Sequence, residues 1–325
     1  MKKLRQQSGV TLVELMVALA IGSFLMIGAV QVYNQSRQAF VVNESIARVQ
    51  ETAQFAMDTI EADLRMASNW GRQSRGNAIV GRAVTGDANP LGLPTGGIDC
   101  GAAWALDLAN PVAGDNGYTL ACPADPMGTG VAQANSDVVT TRRTTVAVAP
   151  LQAGRLQVQS TRIQGELFAD GNIPASFDPV GSETHNLLVN SYYVAASSTL
   201  IPGVPTLRRK SLVMTGGAPD VDDQEVAPGV ENIQLQFGLD VDQDNTVDRY
   251  VNPGDDTLNP IAAGFIPGAR IITARVWIIV RSVSPEMGVQ DLRNYQPGDE
   301  VLGVYNDNFR RMQVSKTILL RNART

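Results

Sequence analysis

The stretch Gly9-Val10-Thr11-Leu12-Val13-Glu14-Leu15-Met16-Val17-Ala18-Leu19-Ala20-Ile21-Gly22-Ser23-Phe24-Leu25-Met26-Ile27-Gly28-Ala29-Val30 carries a single charge, Glu14, in an otherwise apolar run. At about 1.5 Å of helical rise per residue, its apolar part is just long enough to cross a bilayer core of roughly 30 Å. Residues 10–30 therefore read as one membrane span. Lys2, Lys3 and Arg5 precede it, and the positive-inside bias predicts an N-terminus in the cytoplasm with the bulk of the chain sent across. A carboxylate within a membrane helix is expensive to keep and is by default a functional group with a partner.

A cleavable secretory signal is the plainer alternative, and Ala18-Leu19-Ala20 offers a small-residue cut. Such a cut would place Glu14 inside an apolar region of only about ten residues, where a charge opposes insertion. An uncleaved anchor explains the span but leaves the carboxylate without a purpose.

The helical period continues beyond the span. Val42, Ile46, Val49, Ala53, Ala56, Ile60, Leu64 and Ala67 recur at spacings of three and four, and no proline occurs before Pro90. The pattern predicts a helix over residues 10–70, closing near Trp70-Gly71. Its stripe serves either as a coiled-coil seam or as the face packed on the chain's own sheet. Residues as small as Ala53 and Ala56 favour the sheet, because a coiled coil wants larger side chains over uninterrupted heptads.

From about Ile79 the pattern turns to short alternating runs, giving strands at 138–148, 156–160, 187–195, 207–214, 233–239, 271–283 and 312–320. In the sixth of these, Ile272, Ala274, Val276, Ile278 and Val280 share one face, and Arg275, Trp277 and Arg281 the other. A long helix followed by antiparallel strands is an α+β architecture. The division is a leader at 1–9, the helix at 10–70 and a β-rich domain at 71–325. Within that domain, residues 86–130, rich in Gly, Pro, Asn and Asp, read as an insertion.

The chain has 325 residues, with 26 basic and 32 acidic side chains; loss of the leader removes Lys2, Lys3 and Arg5 and makes the balance more acidic still. That argues against nucleic acid, which wants clustered Lys and Arg. Cys100 and Cys122 are the only cysteines, and in an exported domain they are expected to form a disulfide. It would tie down the 86–130 insertion, with a stabilisation of about 3 kcal/mol in the chain-entropy model.

Between Thr215 and Pro260 there are 11 acidic residues and one basic residue, Arg249. Such a cluster either repels itself in solvent or holds a cation. Within it Asp240, Asp242, Asp244 and Asp248 stand at loop positions one, three, five and nine, and Thr246 at seven can offer its carbonyl. That spacing converges oxygen ligands on one point and suits Ca2+. Asn245 replaces the usual sixth-position Gly and tolerates the left-handed conformation, while Val251 at position twelve excludes a full EF-hand. A plain acidic hairpin turn is the competing reading.

No catalytic residues are expected. His185 is the only histidine, and no GxSxG, GxxxxGK[ST] or GxGxxG motif accompanies it. A lone histidine beside a strand is more often a surface or satisfied polar group.

The residues Gly9-Val10-Thr11-Leu12-Val13-Glu14-Leu15, after a short basic leader and ahead of about twenty apolar residues, resemble the processing site of type IV prepilins. The resemblance implies that prepilin peptidase cuts after Gly9 and methylates the new amine of Val10. It implies that Glu14, fifth in the mature chain, sets register against a neighbour's N-terminal amine during assembly. Val10 stands where most major pilins have Phe, which fits a minor subunit. Toward the other end, the acidic loop after Phe237-Gly238-Leu239-Asp240, the strand Arg270–Arg281 and the closing Leu320-Arg321-Asn322 resemble large minor pilins of the PilW kind. This second resemblance implies a pilin-like fold and assembly with other minor pilins and a major pilin. It also implies a place in a tip priming complex beside an adhesin, and residence in the inner membrane before the filament. A minor pseudopilin of a type II secretion system shares these features, and a tethered calcium-binding adhesin is the alternative of another class.

Overall fold

The computed structural model describes residues 9–124, 131–259 and 262–323. The expected leader up to residue 8 and the last part of the 86–130 stretch, residues 125–130, lie outside the described residues. Two compact units divide the chain between Arg48 and Val49.

Helix α1, Leu12–Met66, supplies the regular structure of the first unit and opens the second. In the first unit residues 9–44 are exposed throughout, and an 18-residue window there reaches a mean hydropathy of 2.2. An apolar helical surface of that length left bare in water is the pattern of a segment meant for lipid or for other helices.

In the second unit the expected stripe is the buried face of α1. Val49, Ala53, Ala56, Ile60 and Leu64 are all buried, joined by Met57 and by Ala67 just past the helix end. Of the stripe residues that belong to the first unit, Ile46 is half-buried and Val42 is exposed. The helix ends at Met66, ahead of the expected Trp70-Gly71. Ser68 takes the left-handed conformation there at φ 64°, a position glycine or asparagine usually fills. Its N–H donates to the Arg142 carbonyl and its Oγ to the Ser74 carbonyl at 2.5 Å, so tertiary partners hold a conformation its side chain disfavours.

The strands are β1 (Ile79–Val80), then after helix α2 (Ala102–Leu106) β2 (Val112–Asp115), β3 (Val138–Thr144), β4 (Gln157–Ser160) and β5 (Gly165–Phe168). They continue with β6 (Glu183–Ala195), β7 (Thr206–Thr215), β8 (Ala218–Pro228), β9 (Val230–Asp240) and β10 (Arg249–Val251). The last are β11 (Arg270–Arg281), β12 (Asn294–Tyr295), β13 (Gly303–Val304) and β14 (Arg311–Leu319). One sheet has eight strands in the order β1-β5-β4-β6-β3-β2, with β7 and then β8 added beside β6; only the β1–β5 pair is parallel. A second, antiparallel sheet runs β10-β9-β11-β14, and β12 and β13 form a short ribbon.

All seven expected strands are present. The inward residues of β9 (Ile233, Leu235, Phe237, Leu239) and of β11 (Ile272, Ala274, Val276, Ile278, Val280) are buried, and most pack in one cluster with the α1 stripe and with Tyr192 and Val194 of β6. A second cluster gathers Trp70, Trp104, Leu106, Leu108, Val158 and Leu167 with the Cys100–Cys122 disulfide. The 86–130 stretch therefore does more than decorate the surface: β2 within it pairs with β3, and α2 contributes buried Trp104 and Leu106.

The structure adds β8, which the acidic composition of Ala218–Pro228 concealed. Gly216-Gly217, both at positive φ, make the tight turn that folds β8 back on β7. Asp223 then accepts from Arg208 Nε at 2.8 Å and Lys210 Nζ at 2.7 Å. Glu231 likewise accepts from Arg311 Nε at 2.5 Å. Part of the acidic cluster is thus neither repelling itself in solvent nor free for a cation. It is matched by basic residues from other strands.

Candidate functional site

The N-terminal site begins outside the helix. Among the described residues, Gly9 has no atom within 4 Å of where a Cβ would stand beyond its chain neighbours, and its backbone is not left-handed. Nothing among the described residues requires a glycine there. Thr11 caps α1: its N–H and its Oγ1 each donate to Glu14 Oε2 at 2.9 Å, and Glu14 N–H donates back to Thr11 Oγ1 at 3.3 Å. This reciprocal pair is a capping box, which satisfies amide groups that a helix start leaves open. Sequence reasoning missed it, although Thr11-x-x-Glu14 is the spacing that signals one. Glu14 thus has a local role available besides any role toward a neighbour.

The acidic loop hangs between β9 and β10, whose pairing runs from Leu239 with Arg249 to Phe237 with Val251. Asp240 closes β9 opposite Arg270, its register partner on β11. The Asp240 side chain is fully buried, and its Oδ2 accepts from Arg270 at 2.8 Å and from Asn245 N–H at 3.0 Å. Burial pushes the Asp240 carboxyl up, but the Arg270 guanidinium and the Asn245 N–H outweigh it and hold the carboxyl below its ordinary value. Asp242 Oδ1 accepts from Asp244 N–H at 3.2 Å, and Asp244 Oδ1 accepts from Thr246 N–H and Oγ1 at 2.7 Å. Gln243 and Asn245 turn the loop at φ 67° and 68°.

One carboxylate oxygen from each of Asp240, Asp242 and Asp244 lies within 4.8 Å of the others. Asp248 is not part of that group; its Oδ2 accepts from Val241 N–H at 2.6 Å and closes the base of the loop. Arg270, distant in sequence from the aspartates, gave no signal of its place here. Only the strand pairing brings it in.

Cys100 and Cys122 are bonded to each other, as expected. His185 is buried, with Nδ1 2.9 Å from the Thr145 carbonyl oxygen and Nε2 3.5 Å from Glu183 Oε2. Gly71, at φ 82°, lies over the ring so closely that a Cβ would fall 2.5 Å from His185 Cδ2. The histidine is packed under the chain beyond α1, and Ser160 Oγ, which accepts from Arg72 N–H, lies against the same glycine.

Two family models match the ends of the chain. Residues 4–30 match the prokaryotic N-terminal methylation motif, and residues 191–322 match type IV pilus-assembly protein W. Together the two matches support a PilW-like type IV pilin. The PilW match runs from within β6 to Asn322, so it takes in the acidic loop, β11 and β14. The methylation match takes in Gly9, Val10, the Thr11–Glu14 capping box and the apolar run. Among solved structures, a type IV-like pilin from Thermus thermophilus is similar over 58% of this chain and 80% of its own, at 14% identity and a TM-score of 0.29. A likeness that distant adds no argument. No curated protein matches the chain.

The PilW family is one of structural pilins, and a pilin family implies association with other pilins in a pilus. The apolar helix and the methylation motif fit membrane anchoring.

Proposed function

We propose that this PilW-like pilin is a minor subunit that prepilin peptidase cuts after Gly9 and methylates at Val10, and that it takes part in starting a type IV pilus, within a tip priming complex. Residues 10–30 hold it in the inner membrane, N-terminus in the cytoplasm, until it joins the filament. Its partners are the peptidase, the other minor pilins and the major pilin, with a tip adhesin as a further neighbour.

The observation that carries this reading is the character of α1 in the first unit. The helix is apolar and exposed, with one carboxylate near its start, and it comes directly after a glycine that nothing among the described residues requires. A charge retained on a surface otherwise suited to lipid calls for a partner group, and a neighbour's N-terminal amine supplies the opposite charge.

Deleting the gene tests the proposal. Surface pili should fall to few or none and return when the wild-type gene is restored. Normal piliation in the deletion strain would contradict it. Retention of secreted enzymes in cells that keep their pili would instead favour a minor pseudopilin of a type II secretion system.

A further inference from the structure

We propose that the loop from Asp240 to Asp248 binds one Ca2+ through Asp240, Asp242 and Asp244. The inference is independent of the assembly role, since it concerns a loop of the second unit and is read on the isolated protein. Its first support is convergence: three carboxylates offer oxygens within 4.8 Å of one another.

The second support is the state of Asp240. Its Oδ2 is taken by Arg270 and by Asn245 N–H, while its Oδ1 is buried and has no hydrogen-bond partner among the described residues. A buried carboxylate oxygen left in that state costs free energy, and an unseen water or ion is a standard reason for one. A cation drawn to the three carboxylates satisfies it. Asp242 and Asp244 are exposed, and each accepts a loop backbone N–H at Oδ1.

Arg270 does not cancel the site. It carries one positive charge against three converging carboxylates, and it engages Oδ2 of Asp240 from the neighbouring strand. An acidic turn held only by its own side-chain bonds would account for Oδ2 but not for the buried Oδ1.

The donor chemistry selects the metal. All-oxygen, carboxylate-rich sites suit hard cations, whereas zinc prefers nitrogen and sulfur. Asp242 and Asp244 are exposed on a loop of uneven backbone conformation. Ca2+ accepts irregular geometry with waters completing the shell, and Mg2+ demands near-ideal octahedral ligands. With Asp248 turned to Val241 N–H and no bidentate Glu, affinity falls in the range of extracellular modules, on the order of 10⁻⁴ to 10⁻³ M.

The test uses the full chain in an uncharged detergent, stripped with chelator and titrated with CaCl₂ or MgCl₂ by calorimetry, with melting temperature monitored in parallel. One Ca2+ per chain should bind, Mg2+ at least about ten-fold more weakly, and 10 mM Ca2+ should raise the melting temperature by roughly 2–5 °C through mass action. Asp242→Asn and Asp244→Asn, made separately at exposed positions, should each weaken Ca2+ binding at least about ten-fold, with Asp242→Asn melting as wild type does in chelator. No saturable Ca2+ binding in the wild type, or equal binding in wild type and Asp242→Asn, would overturn the proposal and leave the loop an acidic turn.

Discussion

Tyr192 Oη donates a 2.7 Å hydrogen bond to Asp63 Oδ2, fixing the last turns of α1 to the middle strand of the large sheet. The same oxygen accepts from Asn190 Nδ2 at 2.6 Å, and Oδ1 accepts from Arg143 Nε and Nη2 at 3.1 and 2.8 Å. Asp63 is buried, so this charge lies among apolar neighbours of the helix–sheet interface. Apolar packing alone allows a helix to slide or rotate on a sheet. Four directed bonds to one carboxylate permit one position.

Asp63→Ala should therefore be among the most damaging single changes in the second unit. It leaves the partly buried Arg143 without its carboxylate, and losses of about 3–5 kcal/mol are typical when one partner of a buried pair is removed. Tyr192→Phe should cost about 1–2 kcal/mol, since Asp63 keeps its other donors. Denaturant midpoints of the full chain check both, and equal losses for the two variants would refute the assigned hierarchy.

Asp137 gives a pH dependence of unusual sign for a carboxylate. Its Oδ2 accepts from Leu235 N–H at 2.8 Å, but burial, with the charges of Asp299 and Glu300, pushes its pKa up to about 7. Between its ordinary value of 3.8 and about 7, the folded chain holds a proton that the unfolded chain has released. This residue's contribution to stability therefore falls as pH rises through that window and levels off above it. Asp137→Asn should remove that slope and should be more stable than wild type at pH 8. A wild-type-minus-variant stability difference that stays flat from pH 4 to 8 would contradict the assignment.

Much of this was legible in the sequence because it is written in local spacing. The α1 stripe, the alternation of β9 and β11 and the aspartates of the 240–248 loop are all period signals, and each reports a face. What was not legible came from residues paired across long separations. The acids of β8 looked like a repelling run because Arg208 and Lys210 lie on another strand. The end of α1 was misplaced because Ser68 is held by Arg142 and Ser74, where composition pointed to Gly71. At the N-terminal site the Thr11 cap was overlooked beside the stronger signal of a charge in an apolar span.

The capping box separates two roles for Glu14. Glu14→Gln preserves a side chain able to cap but removes the charge, whereas Thr11→Val removes the cap and keeps the charge. If the carboxylate serves a neighbour's amine, Glu14→Gln should reduce pili as severely as Glu14→Ala, with membrane-bound protein unchanged. Thr11→Val should retain most pili, losing only about 1 kcal/mol of helix-start stability. Pilus counts by electron microscopy decide between them; full piliation of Glu14→Gln would make capping its only duty.

The most direct measurement is the mass of the N-terminal peptide of the membrane-bound protein purified from its native cells. The account predicts a chain beginning at Val10 with one added methyl group on its amine, and a chain with Gly9 replaced by a bulky residue that stays uncut. A native N-terminus at Met1, or at Ile21 after a cut behind Ala20, would contradict it.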